Sequence, residues 1–536
     1  MVIGVAAGQG GGGGMTWTRF PATGQTSADR ASWKSKRKAF TQQCGGKMRE
    51  RMWKEDRARE EKAFYSSGVH LTMVSVGTAV AFTANLIPAL MEPSSEIKID
   101  LQMSSLIAAM PGISGVVPIL LLGPLMHYCG RKIANMCIVT PICIGWILAY
   151  CAAETSSITM LLAARFLQGL ALGTPYFISV CIGEFSAPKT RSVLLGIKPL
   201  VAVLGISLMH LTSYYLHWKH LALVGAIPPA LAFLVTLFWP ETPEWLVSRA
   251  RYKKAEAVFY SLRGYTEEGK RELTQMTETE KARRRFEELE NKGRFAFLQK
   301  MKSRVLWKPV GVLFFAVLIP TVGGRTFIPT YSLHLAAQLS GDKTKGYFYT
   351  VVGDVIALSA GFLNIYLLKV FSRRHLLFGT GFLGFALLAA CSGMLYIRTL
   401  YPSQILSWLI LSFFAVYYFV GTAGFFPVSY ILMGEIFPLE YRAVGSVVDG
   451  TLGSLGTAAV LGIMPWLEKS LGTHGMLLVF GCIMLLNLIY LYFELPETKN
   501  RTLHDVGEYF RGKSPKIRRA EDAIVNLEEN RTMLER

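Results

Sequence analysis

Apolar residues along this chain run together instead of recurring at the spacing of a surface helix or alternating as in a strand. Twelve such stretches lie near 69–91, 103–126, 133–153, 158–182, 191–214, 219–239, 308–335, 346–371, 375–397, 404–434, 442–465 and 473–495. Each approaches or exceeds the roughly 20 residues a helix needs to cross the hydrocarbon of a bilayer. The pattern predicts an all-α membrane protein with six spans on either side of one long polar stretch. Within that stretch, 240–307, the periodicity changes: Ala255, Val258, Phe259 and Leu262, then Phe286, Leu289, Phe295 and Leu298, recur at helical spacing among charges. Short amphipathic helices packed under the bundle are expected there.

The polar punctuation between the runs repeats. Gly130-Arg131-Lys132, Gly183-Glu184 followed by Arg191, and Pro240-Glu241-Thr242 return in the second half as Ser372-Arg373-Arg374, Gly434-Glu435 followed by Arg442, and Pro496-Glu497-Thr498. In both halves the glutamate and the arginine after it are seven residues apart. A duplicated unit of membrane helices is the architecture of secondary transporters, so 69–239 and 308–495 are expected to form two pseudo-symmetric halves. Glu184, Arg191, Glu435 and Arg442 fall at the ends of consecutive spans, and Arg131, Arg373 and Arg374 follow spans two and eight. Carboxylates and guanidiniums so placed can form bidentate pairs across the two halves, an inner-gate network to which Glu241 and Glu497 are added. The plainer alternative is that these residues are topology signals and helix caps.

Composition removes the soluble classes. With 51% hydrophobic and 17% charged residues among 536 and a mean hydropathy of +0.34, there is too little charge to solvate so much apolar surface. Lys and Arg concentrate in 1–68, 240–307 and 496–536, whereas the connections at 92–102, 154–157, 215–218, 398–403 and 466–472 carry few. Basic flanks stay cytoplasmic, so both termini and the linker are expected inside. The arm 1–68, Gly-rich from Gly8 to Gly14, is expected to be largely disordered. The net charge of +19 then marks an inner leaflet; no nucleic-acid module is visible, and the expected partners are the lipid bilayer and a small-molecule solute. No nucleophile with a base, phosphate loop or metal cluster is apparent, so neither catalysis nor a cofactor or metal is expected. Cys137, Cys143, Cys151, Cys181, Cys391 and Cys482 fall inside spans, which leaves no disulfide framework.

The ordered series Gly130-Arg131-Lys132, RFLQGLALG (Arg165 to Gly173), GEFSAPKTRS (183–192), PETPEWL (240–246), Ser372-Arg373-Arg374, MGEIFPLEYR (433–442) and PETKNRTL (496–503) resembles the sugar-porter branch of the major facilitator superfamily. Within that branch it resembles the insect facilitated trehalose transporters. The resemblance implies the major facilitator fold and a plasma-membrane facilitator of sugar movement, trehalose or hexose, working by alternating access. It also implies a mid-membrane site in which Gln, Asn and Trp side chains replace the water stripped from each hydroxyl. Most of those side chains are missing. Pro320-Thr321-Val322-Gly323-Gly324 stands where span seven should read QQLSG, with Thr326 in the place of Asn; Pro199, Ala357, Tyr430 and Gly453 occupy other polar positions. Only Pro427 with Phe425, Phe426 and Tyr331 keeps the aromatic, kinked character. His127 and Lys369 replace acidic residues of the first mark in each half.

In exchange the spans hold Lys198, Arg325, Asp354 and Asp449, charges the family pattern does not supply. Such groups face a cavity or a partner. Either Arg325 and Lys198 are donors to an acidic or zwitterionic solute, or the charges pair internally, Arg325 with Asp354 for example. His210 is placed at the membrane interface. Arg165 matches the family's own arginine, and the first span, with Asn85, lacks the acid that proton-linked members titrate against it, which favours a facilitator. The expected substrate cavity is Asn85, Arg165, Lys198, Thr321, Arg325, Thr326, Tyr331, Phe425 and Tyr430. The alternatives are a carrier of a non-sugar, anionic or zwitterionic solute and, from another class, a transport-inactive membrane sensor or scaffold.

Overall fold

The computed structural model describes residues 64–186, 188–263, 267–289, 304–342, 345–437, 442–499 and 509–510, together with 3–5 and 17–19. In the first unit of the chain, Met1–Glu60, the strands Ile3–Val5 and Trp17–Arg19 pair antiparallel, Ile3 opposite Arg19. That pairing falls in the arm expected to lack structure.

The remainder is a bundle of apolar helices. The first span, Phe64–Met91, begins before the expected residue 69 because Tyr65 packs its ring against Phe185 and extends the helix downward. The second, Leu101–Cys129, breaks at Gly115; the third is Arg131–Glu154. The fourth is a bent pair, Ile158–Gly173 and Pro175–Phe185, at 43°; Pro188–Ser213 and Trp218–Leu237 complete the first half. The second half opens with a seventh span in pieces, Arg304–Val322, Phe327–Thr330 and Ser332–Ser340. Gly346–Val370, Arg373–Leu400 and a tenth span broken at Gly424, Gln404–Ala423 and Phe425–Glu435, follow.

The last helix, Arg442–Glu494, is 53 residues with one non-helical residue, Gly472 at φ 71°. A straight helix of that length would measure about 80 Å, more than twice the roughly 30 Å of hydrocarbon. Its C-terminal end lies at the bundle's basic end, since the Tyr492 carbonyl accepts from Arg374, while Glu468, near its middle, accepts from His334 near the far end of span seven. The chain therefore reverses at Gly472, and spans eleven and twelve make twelve among the described residues.

Between the halves, spans two and eleven touch through small residues. The Gly112 carbonyl accepts from Ser454 Oγ at 2.7 Å, and a Cβ on Gly112 would come within 2.6 Å of the Ala458 nitrogen, so only glycine permits this approach. Spans five and eight form the second seam, where Leu200 packs against Gly361. Between the halves in sequence lie helices Pro243–Ser248, Tyr252–Arg263 and Glu267–Leu289. Ala255, Phe259 and Leu262 turn one face of the second of these into the core, as amphipathic spacing requires. The side chains of Phe286 and Leu289, and residues Phe295 and Leu298, lie outside the described residues.

Candidate functional site

Three polar layers cross the bundle. The first closes its basic end. Span three starts at Arg131, and Glu241, arriving after span six, accepts from the backbone N–H of Arg131 at 2.9 Å and of Lys132 at 3.2 Å. A carboxylate here satisfies orphan donors and meets the positive end of the helix dipole. The Arg131 side chain then bonds Glu184 Oε1 at 2.6 Å and the Met126 carbonyl at 3.2 Å. The second half repeats each element. Glu497 accepts from the N–H of Arg373 (3.2 Å) and Arg374 (3.1 Å), and the Arg373 guanidinium bonds Glu435 at 3.2–3.4 Å and the Leu368 carbonyl at 2.9 Å. Lys132 donates to the Leu237 carbonyl, and Arg374 to those of Tyr492 and Leu495.

Among the described residues these pairs run within each half, not across the two halves as the spacing suggested. The reason is geometric: each arginine leads a helix whose neighbour, ending at the glutamate, belongs to the same six-span unit. The side chains of Arg191 and Arg442 lie outside the described residues. The two capping carboxylates differ. Burial pushes the Glu241 carboxyl above its usual range, its two backbone bonds only partly opposing this. At Glu497 burial acts in the same direction but is outweighed by N–H donors from Lys499, Arg374 and Arg373 and by the Ser372 hydroxyl, and the carboxyl is held below the usual range.

The second layer lies where spans four, seven and ten are interrupted. Arg165 is wholly buried and met by neutral acceptors: Gln168 Oε1 at 2.8 Å, Thr83 Oγ1 at 2.6 Å and the Ala79 carbonyl at 3.3 Å. Asn85 is buried with both amide atoms unpartnered. Lys198 Nζ bonds Ser179 Oγ at 2.8 Å and the Pro175 carbonyl at 3.3 Å, both on span four. From the other half, Arg325 lies over the ring of Tyr430, 3.8 Å from its centroid. The buried Thr321 hydroxyl donates to Val317 in its own helix, and Tyr331 donates to the Leu461 carbonyl at 3.0 Å, tying span seven to span eleven. Thr326 precedes the short helix Phe327–Thr330 without capping it, and Phe425 is buried against Tyr417 and Phe426. Asp449, on span eleven, is fully buried with neither carboxylate oxygen bonded.

The third layer, toward the opposite end, corrects two expectations. Asp354 pairs with His210, not with Arg325: His210 Nδ1 stands 2.9 Å from Asp354 Oδ2, and its other nitrogen 3.1 Å from Ser332 Oγ and 3.3 Å from the Pro329 carbonyl. His210 is accordingly buried, not interfacial. Among the described residues this is the one acid–base side-chain contact joining the two halves. Beside it, between spans seven, eight and ten, opens a recess of about 370 Å³ walled by Phe348, Trp408, Leu411 and Phe414. None of the expected substrate-cavity residues lines it.

A family profile described as "Sugar (and other) transporter" matches residues 59–510. The chain belongs to this sugar transporter family. Among curated relatives, the facilitated trehalose transporter Tret1 of Culex quinquefasciatus is 26% identical over 82% of this chain and 83% of its own length. Tret1 of Aedes aegypti is 26% identical over 83% of this chain but 54% of its own; the chain spans about half the length of several such relatives. Among solved structures, the inward-open xylose transporter XylE of E. coli superposes with a TM-score of 0.66 at 18% identity, covering 83% of this chain and 98% of that one. XylE bound to 6-bromo-6-deoxy-D-glucose, described as a proton:xylose symporter, gives 0.67 at 17%. These likenesses show the major facilitator fold.

Within this sugar transporter family member, a multi-pass membrane protein, Lys198 bonds the second piece of span four and Arg325 stacks on Tyr430 of span ten, whereas Thr321 and Tyr331 give their hydroxyl protons to backbone carbonyls. Sequence reasoning missed His210 with Asp354, since no local signal links residues so far apart in the chain. It missed Thr498, which donates to Glu435 at 2.5 Å, although the repeated Pro-Glu-Thr could have flagged it.

Proposed function

We propose that this chain is a facilitator that carries a sugar-class solute through the plasma membrane by rocking its two halves, with the basic end in the cytoplasm. The observation that carries this reading is that spans four, seven and ten are each interrupted within two duplicated six-span halves. Broken helices at a repeat interface free backbone and side-chain groups for a solute inside an otherwise apolar bundle. The family match and the trehalose, xylose and glucose-analogue names of the relatives support a sugar-sized solute. Arg165 is surrounded by neutral acceptors and the first span carries no acid, which supports movement without a proton partner. The excess of Lys and Arg at the end where spans three and nine begin supports the orientation.

The test is uptake of labelled trehalose, D-glucose and D-xylose into liposomes holding the purified chain. Uptake that saturates, stops at equal concentrations and ignores an imposed pH gradient is expected. Accumulation driven by an inward proton gradient would overturn the facilitator reading, and absence of any flux would overturn transport.

A further inference from the structure

The recess beside His210 and Asp354 combines aromatic walls with a single carboxylate. Its volume, about 370 Å³, falls within the range of small-molecule sites, about 300–1,000 Å³. Phe348, Tyr349, Trp408, Phe414 and Tyr418 line it, Asp354 is the acid among them, and none of its described lining residues is a lysine or an arginine. Phe348 and Trp408, in the first turns of spans eight and ten, are 65% and 54% exposed, so the recess opens toward the end opposite the basic one. Asp354 stands eight residues beyond Gly346, about 12 Å below the start of span eight. The hydrogen bonds around it leave the carboxylate charged. His210 Nδ1 donates to Oδ2 at 2.9 Å. At the other ring nitrogen, Ser332 Oγ at 3.1 Å is the nearer group, and the Pro329 carbonyl at 3.3 Å lies beyond the usual N–H···O range of about 2.7–3.2 Å. The serine hydroxyl turns to donate to Nε2, so a neutral imidazole satisfies these contacts and adds no positive charge. Asp354 Oδ1 has no donor among the described residues, and the hydroxyl of Thr350, one turn earlier on the same wall, is buried without a partner.

We propose that this recess binds an organic ammonium ion with an apolar body, its cation against Asp354 and its body against the aromatic walls. The site is separate from the central one and does not rest on the transport reading. A net negative charge at that depth is costly in an apolar bundle, and a cation offsets it. Aromatic faces give apolar contact and attract a cation through their quadrupole, Trp most strongly, and the attraction grows where water is excluded. The other occupants fit less well. An anion would meet the carboxylate, a neutral apolar molecule would leave it unpaired, and an inorganic cation would exchange its water shell for very few oxygens. Because Asp354 also holds His210 of the other half, an ammonium drawn to it shares the contact that joins the halves.

The experiment equilibrates the full chain in lipid nanodiscs with tritiated benzyltrimethylammonium. Competitors are neopentylbenzene, which puts carbon in place of the charged nitrogen, and benzyl alcohol. Saturable binding is expected, with both neutral competitors at least tenfold weaker than unlabelled benzyltrimethylammonium. Asp354→Asn, which keeps a bonding partner for His210, should weaken binding at least tenfold, and Asp354→Glu should retain most of it, which separates lost charge from lost packing. Trp408→Leu leaves the carboxylate and His210 in place and should weaken binding about fivefold. Equal competition by neopentylbenzene or benzyl alcohol overturns the proposal in favour of an apolar or a hydroxylated occupant. Undiminished binding to Asp354→Asn or to Trp408→Leu overturns it by placing the cation elsewhere. Binding is read without flux, so a chain that moves no solute would sink the transport reading and leave this result standing.

Discussion

The two halves close the basic end with the same parts, but only one of them completes the closure. In the second half, Glu435 receives three contacts from Arg373 and a fourth from the Thr498 hydroxyl. In the first, Arg131 reaches Glu184 through one oxygen, and Glu184 Oε2 and Arg131 Nε are buried without partners. The difference traces to the threonine of Pro-Glu-Thr. Thr498 is free to turn to Glu435, whereas Thr242 caps the helix Pro243–Ser248, accepting from the Trp245 N–H. Capping fixes Thr242 at the start of the linker helix, and no bond joins its hydroxyl to Glu184. The socket attached to the linker is therefore the looser of the two. Its glycine adds to the contrast: Gly130 sits at φ +93°, where a Cβ would lie 2.6 Å from the Glu241 carboxylate, while the matching Ser372 takes an ordinary extended backbone and caps span nine.

The largest expected effect comes from removing the arginines. Arg373→Ala should weaken the basic-end closure by about 2–3 kcal/mol and Arg131→Ala by about 1, values lowered because both sites keep some exposure. Labelling of a cysteine introduced below the central site, together with uptake rate, reports both. Equal effects in the two halves would break the comparison. A smaller effect isolates the threonines. Thr498→Val should cost about 1 kcal/mol of the same closure, making the second socket resemble the first. Thr242→Val should leave labelling unchanged and instead speed hydrogen exchange over Pro243–Ser248, a lost cap being worth about 1 kcal/mol. If Thr242→Val opens the cavity as much as Thr498→Val does, the threonine explanation is wrong.

The smallest effect is a pH dependence confined to the linker side. Burial, reinforced by the charge of Glu184, pushes the Glu244 carboxyl up to about 7, with Arg263 at 3.6 Å only partly opposing. The docked form therefore holds its proton between the ordinary carboxylate range, about 4.3, and about 7, while an undocked Glu244 would lose it. Docking is strongest below that range and weakens as pH rises through 7. Hydrogen-exchange protection over Tyr252–Arg263 should fall between pH 5 and 7.5, and Glu244→Gln should flatten the trend. The corresponding residue after Pro496-Glu497-Thr498 is Asn500, which cannot titrate.

Much of this was written locally and was legible for that reason. Runs long enough to span announced the helices, and the repeated marks announced two halves, because both signals sit in contiguous residues. The partnership of Arg131 with Glu184 was missed in one respect: seven-residue spacing says where charged groups stand along spans, not which neighbouring helix they face. The chemistry of the centre was less legible still. Lys198, Arg325, Asp354 and Asp449 all read as buried charges in apolar runs, and only the packing of span five on span eight assigns Asp354 to His210 and leaves Arg325 with Tyr430. The capping role of Glu241 and Glu497 depends on spans six and twelve ending beside the starts of spans three and nine, a distance of more than 100 residues in sequence.

The single-residue reversal at Gly472 bears on how the chain is made. Spans eleven and twelve meet at a turn whose short polar segment, Glu468 to Ser470, is all that has to cross, and whose tip closes on itself through Glu468 accepting from Thr473. A hairpin of that kind is stable in lipid once its backbone bonds are internal, ahead of docking on span seven. The last two spans are therefore expected to insert as a unit, and lengthening their turn should slow the appearance of a protease-protected span-eleven and span-twelve fragment during synthesis without touching any residue at the centre of the bundle.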